Sequence, residues 1–463
     1  MHAGSRNPVT SRDRLRAQLQ DLDTLLGDVG PSDARRALVQ TRTSMQAQLN
    51  AIVYPVLTLP PEVVSEIFIR SLSETGARPN VTEAPLLLCT VCSQWRTIAI
   101  LTPALWSSIE LAFKFSLFGS KFLALLDLWL SRTGHHPLSL SLYYDEYTVT
   151  KNRPQVDLLV QLILRHSHQW AEVELKLPDA SEFHQFMGYH YPALKALSLT
   201  HSINPSIPPV TSFAHAPSLT NVQLSAGCAA DPIALPWLQL TSLKCEALYV
   251  HECLALLRGT TQLVEFTVYL KEGGPALPPI SFLTLPTLRS LHLLREECHM
   301  DLLQYLTLPT LETLSISFEN HDIPRFLAFL ARSACSLRRA IFDAWPFDQV
   351  ELVKCLAAMP SLQHLKLWRP QYFTDSFLLQ LADPAVLLPN LKSLELNHVY
   401  PIQFTMPALV GMLSARSNAP VRLQSFRTVL HKASMMTDPV SELRLQALVA
   451  AGMKIQINYH TLQ

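Results

Sequence analysis

Residues 360–368 read Pro360-Ser-Leu-Gln-His-Leu-Lys-Leu-Trp368, and the same frame returns as Pro389-Asn-Leu-Lys-Ser-Leu-Glu-Leu-Asn397. In the pattern Pro-x-Leu-x-x-Leu-x-Leu the last two apolar positions are two residues apart. In an extended chain they share one side, while the residues between and beside them face the other. Each copy therefore reads as one short strand. Working outward, with Val or Ile allowed at the later apolar places, the frame also begins at Pro192, Pro217, Pro286 and Pro309. The gaps are close to multiples of about 25 residues and predict degenerate copies in between. Two are clear, Leu263-Val-Glu-Phe266-Thr-Val268 and Leu337-Arg-Arg-Ala340-Ile-Phe342. A third, Leu240-Thr-Ser-Leu243-Lys-Cys245, is ambiguous because Leu238 offers a competing register. Trp170-Ala-Glu-Val173-Glu-Leu175 and Leu423-Gln-Ser-Phe426-Arg-Thr428 extend the series at either end, and Ile109 with Leu111 and Leu140 with Leu142 offer two earlier turns.

Between the strands lie stretches with helical spacing, such as Phe326, Phe329 and Leu330, or Val350, Val353 and Leu356. A strand and a return helix in each step, in a chain with 83 leucines and only 13 glycines, resembles the leucine-rich repeat family. The resemblance implies an α/β fold whose units stack into a curved parallel sheet. The Asn or Cys that the family carries shortly after the strand is missing here, and the steps are uneven. An irregular leucine-rich-repeat solenoid over 170–463 is expected, with longer return segments towards its C-terminal end.

Residues 12–53 place apolar groups at Leu15, Leu19, Leu22 and Leu26, then Leu38, Met45, Leu49 and Ile52, across Gly27-Asp-Val-Gly30-Pro31. That spacing predicts a helical hairpin. Each arm holds about two heptads, too few for an independent coiled coil, so the hairpin is expected to pack on itself rather than to act as a dimerisation zipper. In 54–106, Pro60 and Pro61 open a helix with Val63, Val64, Ile67 and Phe68 at helical spacing. A polar loop then leads to a second helical stretch, 84–106. Leu59-Pro60-Pro61-Glu62, Ile67-Phe68, Val91-Cys92-x-x-Trp95-Arg96, Ile98-Ala99 and Pro103-Ala-Leu-Trp106 closely resemble the F-box. The style is similar to the large F-box groups of mushroom-forming fungi, although the connection from Ile67 to Val91 is longer than in the common F-box. The resemblance implies a helical module that docks on the Skp adaptor of a cullin-RING ubiquitin ligase. Leu59, Pro60, Pro61, Ile67, Phe68, Val91, Cys92 and Trp95 would be the adaptor contacts or their immediate support. The plain alternative for each is a core residue of a small helical unit. Residues 107–169 form a transition that contains the two earlier turns.

Composition excludes several classes. Low glycine content and the absence of GxGxxG, GxxxxGK[ST] and GxSxG remove the common nucleotide-binding and hydrolase motifs. Lys plus Arg (37) equals Asp plus Glu (37), so no net field points to nucleic acid or to a membrane surface. The N-terminal stretch lacks the apolar core of a signal peptide, and the most apolar window carries Lys121 and Asp127. A cytoplasmic or nuclear protein, not a secreted one, is expected. Eight cysteines over 463 residues do not read as a disulfide framework. Cys89 and Cys92 have metal-ligand spacing but lack a second pair, and neither His135-His136 nor His166-Ser-His168 has the i, i+4 spacing of a helical metal site. No catalytic set, metal or cofactor is expected.

The outward strand positions are the natural target-binding residues of a repeat scaffold. They include Tyr269, His292, Arg339, His364, Lys366, Trp368, Glu395 and Asn397, together with Glu265, Asp343 and Arg427. Trp and Arg dominate protein hot spots, which makes Trp368, beside Lys366 and His364, the expected anchor. The plain alternative is a solvated strand face. The expected function is a non-enzymatic substrate receptor of the ligase, with an adaptor at one end and an unknown target protein on the repeats. The competing reading is a repeat scaffold whose F-box no longer engages the adaptor.

Overall fold

The computed structural model describes residues 8–28, 33–50, 55–73, 76–113, 119–201, 210–225, 233–275, 279–294, 299–318, 322–344, 349–369, 373–399, 403–431 and 439–460. The chain divides into two compact units, Met1–Trp106 and Ser107–Gln463.

The first unit is helical: α1 (Pro8–Asp28), α2 (Asp33–Asn50), α3 (Pro61–Arg70), α4 (Leu88–Val91) and α5 (Ser93–Ile100). Helices α1 and α2 pack together with Leu19 buried and Leu15, Leu22, Leu26, Leu38, Met45 and Leu49 half-buried. Arg42 Nε donates to Asp23 Oδ1 across this hairpin at 2.6 Å. Ile52, the last of the expected stripe, lies outside the described residues. Helix α3 starts where two prolines dictate it. Pro61 occupies a first-turn position that needs no donor, and the Pro60 carbonyl accepts from Val63 N and Val64 N at 3.0 and 3.1 Å. Trp106 closes the unit, fully buried, its indole Nε1 donating to the Ala99 carbonyl at 2.8 Å.

The second unit is α/β. Its strands are β1 (Ser108–Phe113), β2 (Leu138–Tyr144), β3 (Trp170–Leu177), β4 (Ala196–His201), β5 (Asn221–Leu224), β6 (Ser242–Leu248), β7 (Glu265–Leu270), β8 (Leu283–Thr284), β9 (Ser290–Leu294), β10 (Leu306–Thr307), β11 (Thr313–Phe318), β12 (Arg339–Ala344), β13 (His364–Trp368), β14 (Ser393–Val399), β15 (Ser425–His431) and β16 (Lys454–His460). Fourteen of them form one parallel sheet in strict chain order, with β8 and β10 paired separately. In-phase pairing sets the apolar positions in columns, as where Leu365 lies between Ala340 and Leu394. Every strand of this sheet from β3 to β15 falls on the repeated frame, and β6 takes the Leu243 register, opposite Val222 and Phe266. Strand β16, with alternating Ile455 and Ile457, lies beyond the frame that the leucines mark.

The return segments are α6 (Ser120–Ser131), α7 (Glu146–Leu164), α8 (Val250–Gly259), α9 (His299–Leu303), α10 (Ile323–Ser333), α11 (Gln349–Ala357), α12 (Asp375–Ala382), α13 (Met406–Ser417) and α14 (Pro439–Ala450). In α10 the expected stripe is buried: Phe326, Phe329 and Leu330. In α11 it is displaced, because Leu352, Cys355 and Leu356 face the core and Val350 is exposed. A helix in every step is also corrected, since no α-helix is described between β3 and β6. Only the 3-10 segments Ala180–Phe186 and Trp237–Gln239 occur there, in a stretch punctuated by Pro205, Pro208, Pro209, Pro217, Pro232 and Pro236, which cannot donate to a continuing helix. Aromatic rings fill part of this region: Tyr191 lies 5.4 Å from Trp170 and 5.1 Å from Phe213, all three buried.

A polar ladder does exist, but it precedes the strand. Ser218, Thr310 and Asn390, each following the Pro of its frame, donate to the carbonyls of Pro192, Pro286 and Pro360 one turn earlier, at 2.7, 2.8 and 3.0 Å. Thr287 does the same to Thr261, which holds the proline position of its turn. Two buried-side arginines staple neighbouring turns. Arg332 donates to the Leu303 and Leu306 carbonyls, and Arg416 to those of Leu381, Leu387 and Leu388.

Candidate interaction surfaces

On the helical unit, exposure separates the residues named from the sequence. Phe68 is only 2% exposed and belongs to the core, where its ring meets Trp95 edge-on at 5.0 Å between centroids. Cys92 caps α5, its Sγ accepting from Trp95 N at 3.4 Å, so its place is explained by local structure. Leu59 and Trp95 are half-buried, and Pro60 and Pro61 are exposed. Ile67 and Val91 are large apolar side chains left 49% and 55% exposed. Val63 joins Ile67 one helical turn away on α3, and Leu101, just after α5, is 75% exposed. Leu101 escaped the sequence reading. Its signal is the apolar run Ile98-Ala-Ile-Leu101, longer than one helix face can bury. A Ser65–Thr102 hydroxyl contact of 3.0 Å ties α3 to the end of α5, holding the two exposed faces on one small frame.

On the sheet unit, register places the expected target-binding residues in rows. Arg339 stands opposite His364, Lys366 opposite Glu395, Trp368 opposite Asn397, and Glu395 opposite Arg427. The structure gathers Lys366, Trp368, Glu395 and Asn397 into one group. Lys366 Nζ lies 2.9 Å from Glu395 Oε1 and 4.7 Å from the centre of the Trp368 ring. Asn397 Nδ2 donates to the same Glu395 oxygen at 3.0 Å and is itself buried. Partial burial works to raise the Glu395 carboxyl. The hydrogen bonds from Lys366 and Asn397, with the charges of Lys366 and Arg427, outweigh it and hold the group below its ordinary value.

Two members of this group were not visible in the sequence. His398 stacks on Trp368 at 5.7 Å, and Arg369 Nη2 pairs with Asp343 Oδ1 at 3.0 Å. Both have left-handed backbone, φ 54° for His398 and 50° for Arg369. A bulge between Leu396 and Val399 shifts the phase of β14, which is why alternation did not identify His398 as an outward residue. His364 is apart from the group and is held below its ordinary pKa by burial, then by the charges of Arg339 and Lys392. His292, farther along the sheet, is lowered mainly by burial, and its Nε2 lies 2.9 Å from Ser290 Oγ. Tyr269 on β7 is half-buried in a separate part of the face.

No protein-family model and no curated protein matches the chain. Among the described residues no group of three His, Cys, Asp or Glu is placed to hold a metal ion, and no helix is long and apolar enough to cross a membrane. The two surfaces offer different chemistry. The helical unit leaves aliphatic side chains exposed among charged ones such as Glu62, Glu66 and Arg70, and the sheet presents an aromatic ring framed by charges.

Proposed function

We propose that the helical unit is an F-box, that the sheet unit is an irregular leucine-rich-repeat solenoid, and that the chain is a non-catalytic substrate receptor of a cullin-RING ubiquitin ligase. The observation that carries this reading is the exposure of Ile67 and Val91. Both stand at positions where the F-box pattern expects contact, yet in this unit they contribute little to the core. Burying one such aliphatic side chain contributes about 1.5–3 kcal/mol, so leaving both in water favours a partner that covers them. The sheet would then hold a target protein on its outward rows, and ubiquitin transfer would be accelerated by raised effective concentration rather than by chemistry on this chain.

The same exposure makes the test clean. The full chain is co-expressed with a Skp adaptor and purified through it, as wild type and as Ile67→Asp with Val91→Asp. Because neither side chain is buried, the substituted protein is expected to keep its melting midpoint while losing the adaptor. Phe68→Ala, by contrast, should lower the midpoint as well. Failure of the folded wild type to co-purify would sink the proposal.

A further inference from the structure

The outward face of the sheet is polar, but its charges are segregated along the strand order. Strands β1–β7 present Glu110, Glu172, Glu174 and Glu265 against Lys176 and Lys244. The described outward positions of β9 and β11 carry Ser290, His292, Leu294, Thr313, Ser315 and Ser317, none of them an acid, lysine or arginine. Strands β12–β16 present Arg339, Lys366, Arg427 and Lys454 against Asp343 and Glu395. Both acids of this last section are satisfied internally, Asp343 by Arg369 and Glu395 by Lys366. Arg339, Arg427 and Lys454 are exposed and form no ion pair among the described residues. A chain with no net charge therefore carries a local excess of cations on one section of one face.

The spacing of that excess restricts what fits it. Adjacent strands lie about 4.8 Å apart and a strand rises about 3.3 Å per residue, so Arg339 and Arg427, three strands apart and offset by two residues, are separated by roughly 16 Å, and Lys454, level with Arg339, lies one strand beyond Arg427. An extended peptide advances about 3.3 Å per residue, so carboxylates about five residues apart would reach the two arginines. On the strands between them stand His364, Lys366, Ser393 and Glu395; beside that line the face is less polar, with Ile341 next to Lys366 and the half-buried Trp368 ring two residues farther along β13.

Resting on the reading of this face as the target site, we propose that β12–β16 bind an extended acidic segment of the target protein. Its carboxylates engage Arg339 and Arg427, and an apolar side chain of the same segment lies to one side of that line, against Ile341 and Trp368. Arginine suits this role because its planar fork binds a carboxylate through two parallel hydrogen bonds. The acidic section at β1–β7 discourages the same segment from sliding along the sheet.

The test pans a phage library of random twelve-residue peptides against the full chain and measures binding of the selected peptides by fluorescence anisotropy. Peptides rich in Asp and Glu around an apolar residue are expected. Their affinity should fall at least tenfold in Arg339→Glu with Arg427→Glu, weaken as salt is raised, and not fall in Lys244→Glu, which makes the same kind of charge reversal in the acidic section. If reversal unfolds the protein by circular dichroism, Arg339→Gln with Arg427→Gln replaces it. Selected peptides without acidic enrichment, whose binding is lost in Trp368→Ala, would overturn this inference and leave the face as a target site. Selected peptides indifferent to all of these substitutions would overturn both.

Discussion

Arg416 lies in the last turn of α13 with no exposed surface, and its guanidinium donates to carbonyls from the end of α12 and from the Leu387-Leu388 turn. Burial lowers its pKa to about 10, which still leaves it charged at neutral pH. Replacing it by Met would fill much of the space but leave three buried carbonyls without donors, at about 1–3 kcal/mol each. Arg416→Met is therefore expected to lose about 3 kcal/mol or more in urea denaturation, and Arg416→Lys to recover only part, since a point ammonium cannot reproduce the fork. The residue was legible as helix but not as core. It follows Leu409, Met412 and Leu413 at buried-face spacing, yet an arginine there reads from sequence as a solvated end. His299 shows the same effect in a titratable group. It is buried, with Nδ1 2.7 Å from the Ser317 carbonyl oxygen and 3.0 Å from Ser317 N, and burial holds its pKa below the ordinary value. A neutral base favoured by the fold contributes stability that is present above the unfolded pKa of about 6.5 and lost as pH falls below it towards the folded pKa. His299→Gln should flatten that part of the curve of melting midpoint against pH. An unchanged slope between wild type and variant would contradict the assignment.

At the scale of elements, the frame Pro-x-Leu-x-x-Leu-x-Leu was readable because a strand with one buried face must alternate, and the chain repeats that demand with few exceptions. The identity of x was the overlooked part. It is Ser at 218 and 361, Thr at 287 and 310, Asn at 390 and Ala only at 193, a preference for short hydrogen-bonding side chains that alternation does not require. The structure supplies the reason, because Ser218, Thr287, Thr310 and Asn390 satisfy carbonyls of the preceding turn. The Thr287 and Thr310 hydroxyls each lie within hydrogen-bond distance of a second carbonyl, that of Leu263 and Leu288 respectively, so each shares its one proton between two acceptors. Valine keeps their shape and removes only the hydroxyl. Thr287→Val with Thr310→Val is expected to cost about 1–3 kcal/mol in total, at roughly 0.5–1.5 per net hydrogen bond for the better-made ones. No loss in thermal denaturation would mean that water replaces the ladder. The returns were read less well than the strands for a related reason. A return segment needs only to cover the sheet: between β3 and β6, among many prolines, a 3-10 segment does so in place of a helix, and α11 does so as the expected helix with a different buried stripe.

In the sheet as a whole, each strand pairs only with its neighbours in the chain, so stability should follow position in the strand order. Interior strands bury their apolar columns on both sides, as at Leu365, Leu394 and Phe426. Strand β16 has a single neighbour, and there the corresponding Ile455 and Ile457 are only half-buried. Its helix α14 leaves Val440, Leu443 and Val449 exposed. This end was the one strand of the main sheet after Trp170 not read from the sequence. Its alternation rests on two isoleucines without the leading Pro-x-Leu. The charge segregation was hidden for a similar reason, since it appears only when residues far apart in sequence are set side by side by register. Local opening from the C-terminal edge follows from the same one-dimensional order. Amide hydrogen exchange is expected to be fastest in β16 and α14, which should open together below the global unfolding free energy, and slowest in β12–β14. Leu365→Ala, a cavity in the interior worth about 2–5 kcal/mol, should then raise exchange in β12 and β14 while leaving the opening of β16 against β15 nearly unchanged. Uniform protection from β3 to β16, or equal acceleration of every strand by the cavity, would mean that the sheet unfolds as one cooperative block despite its sequential pairing.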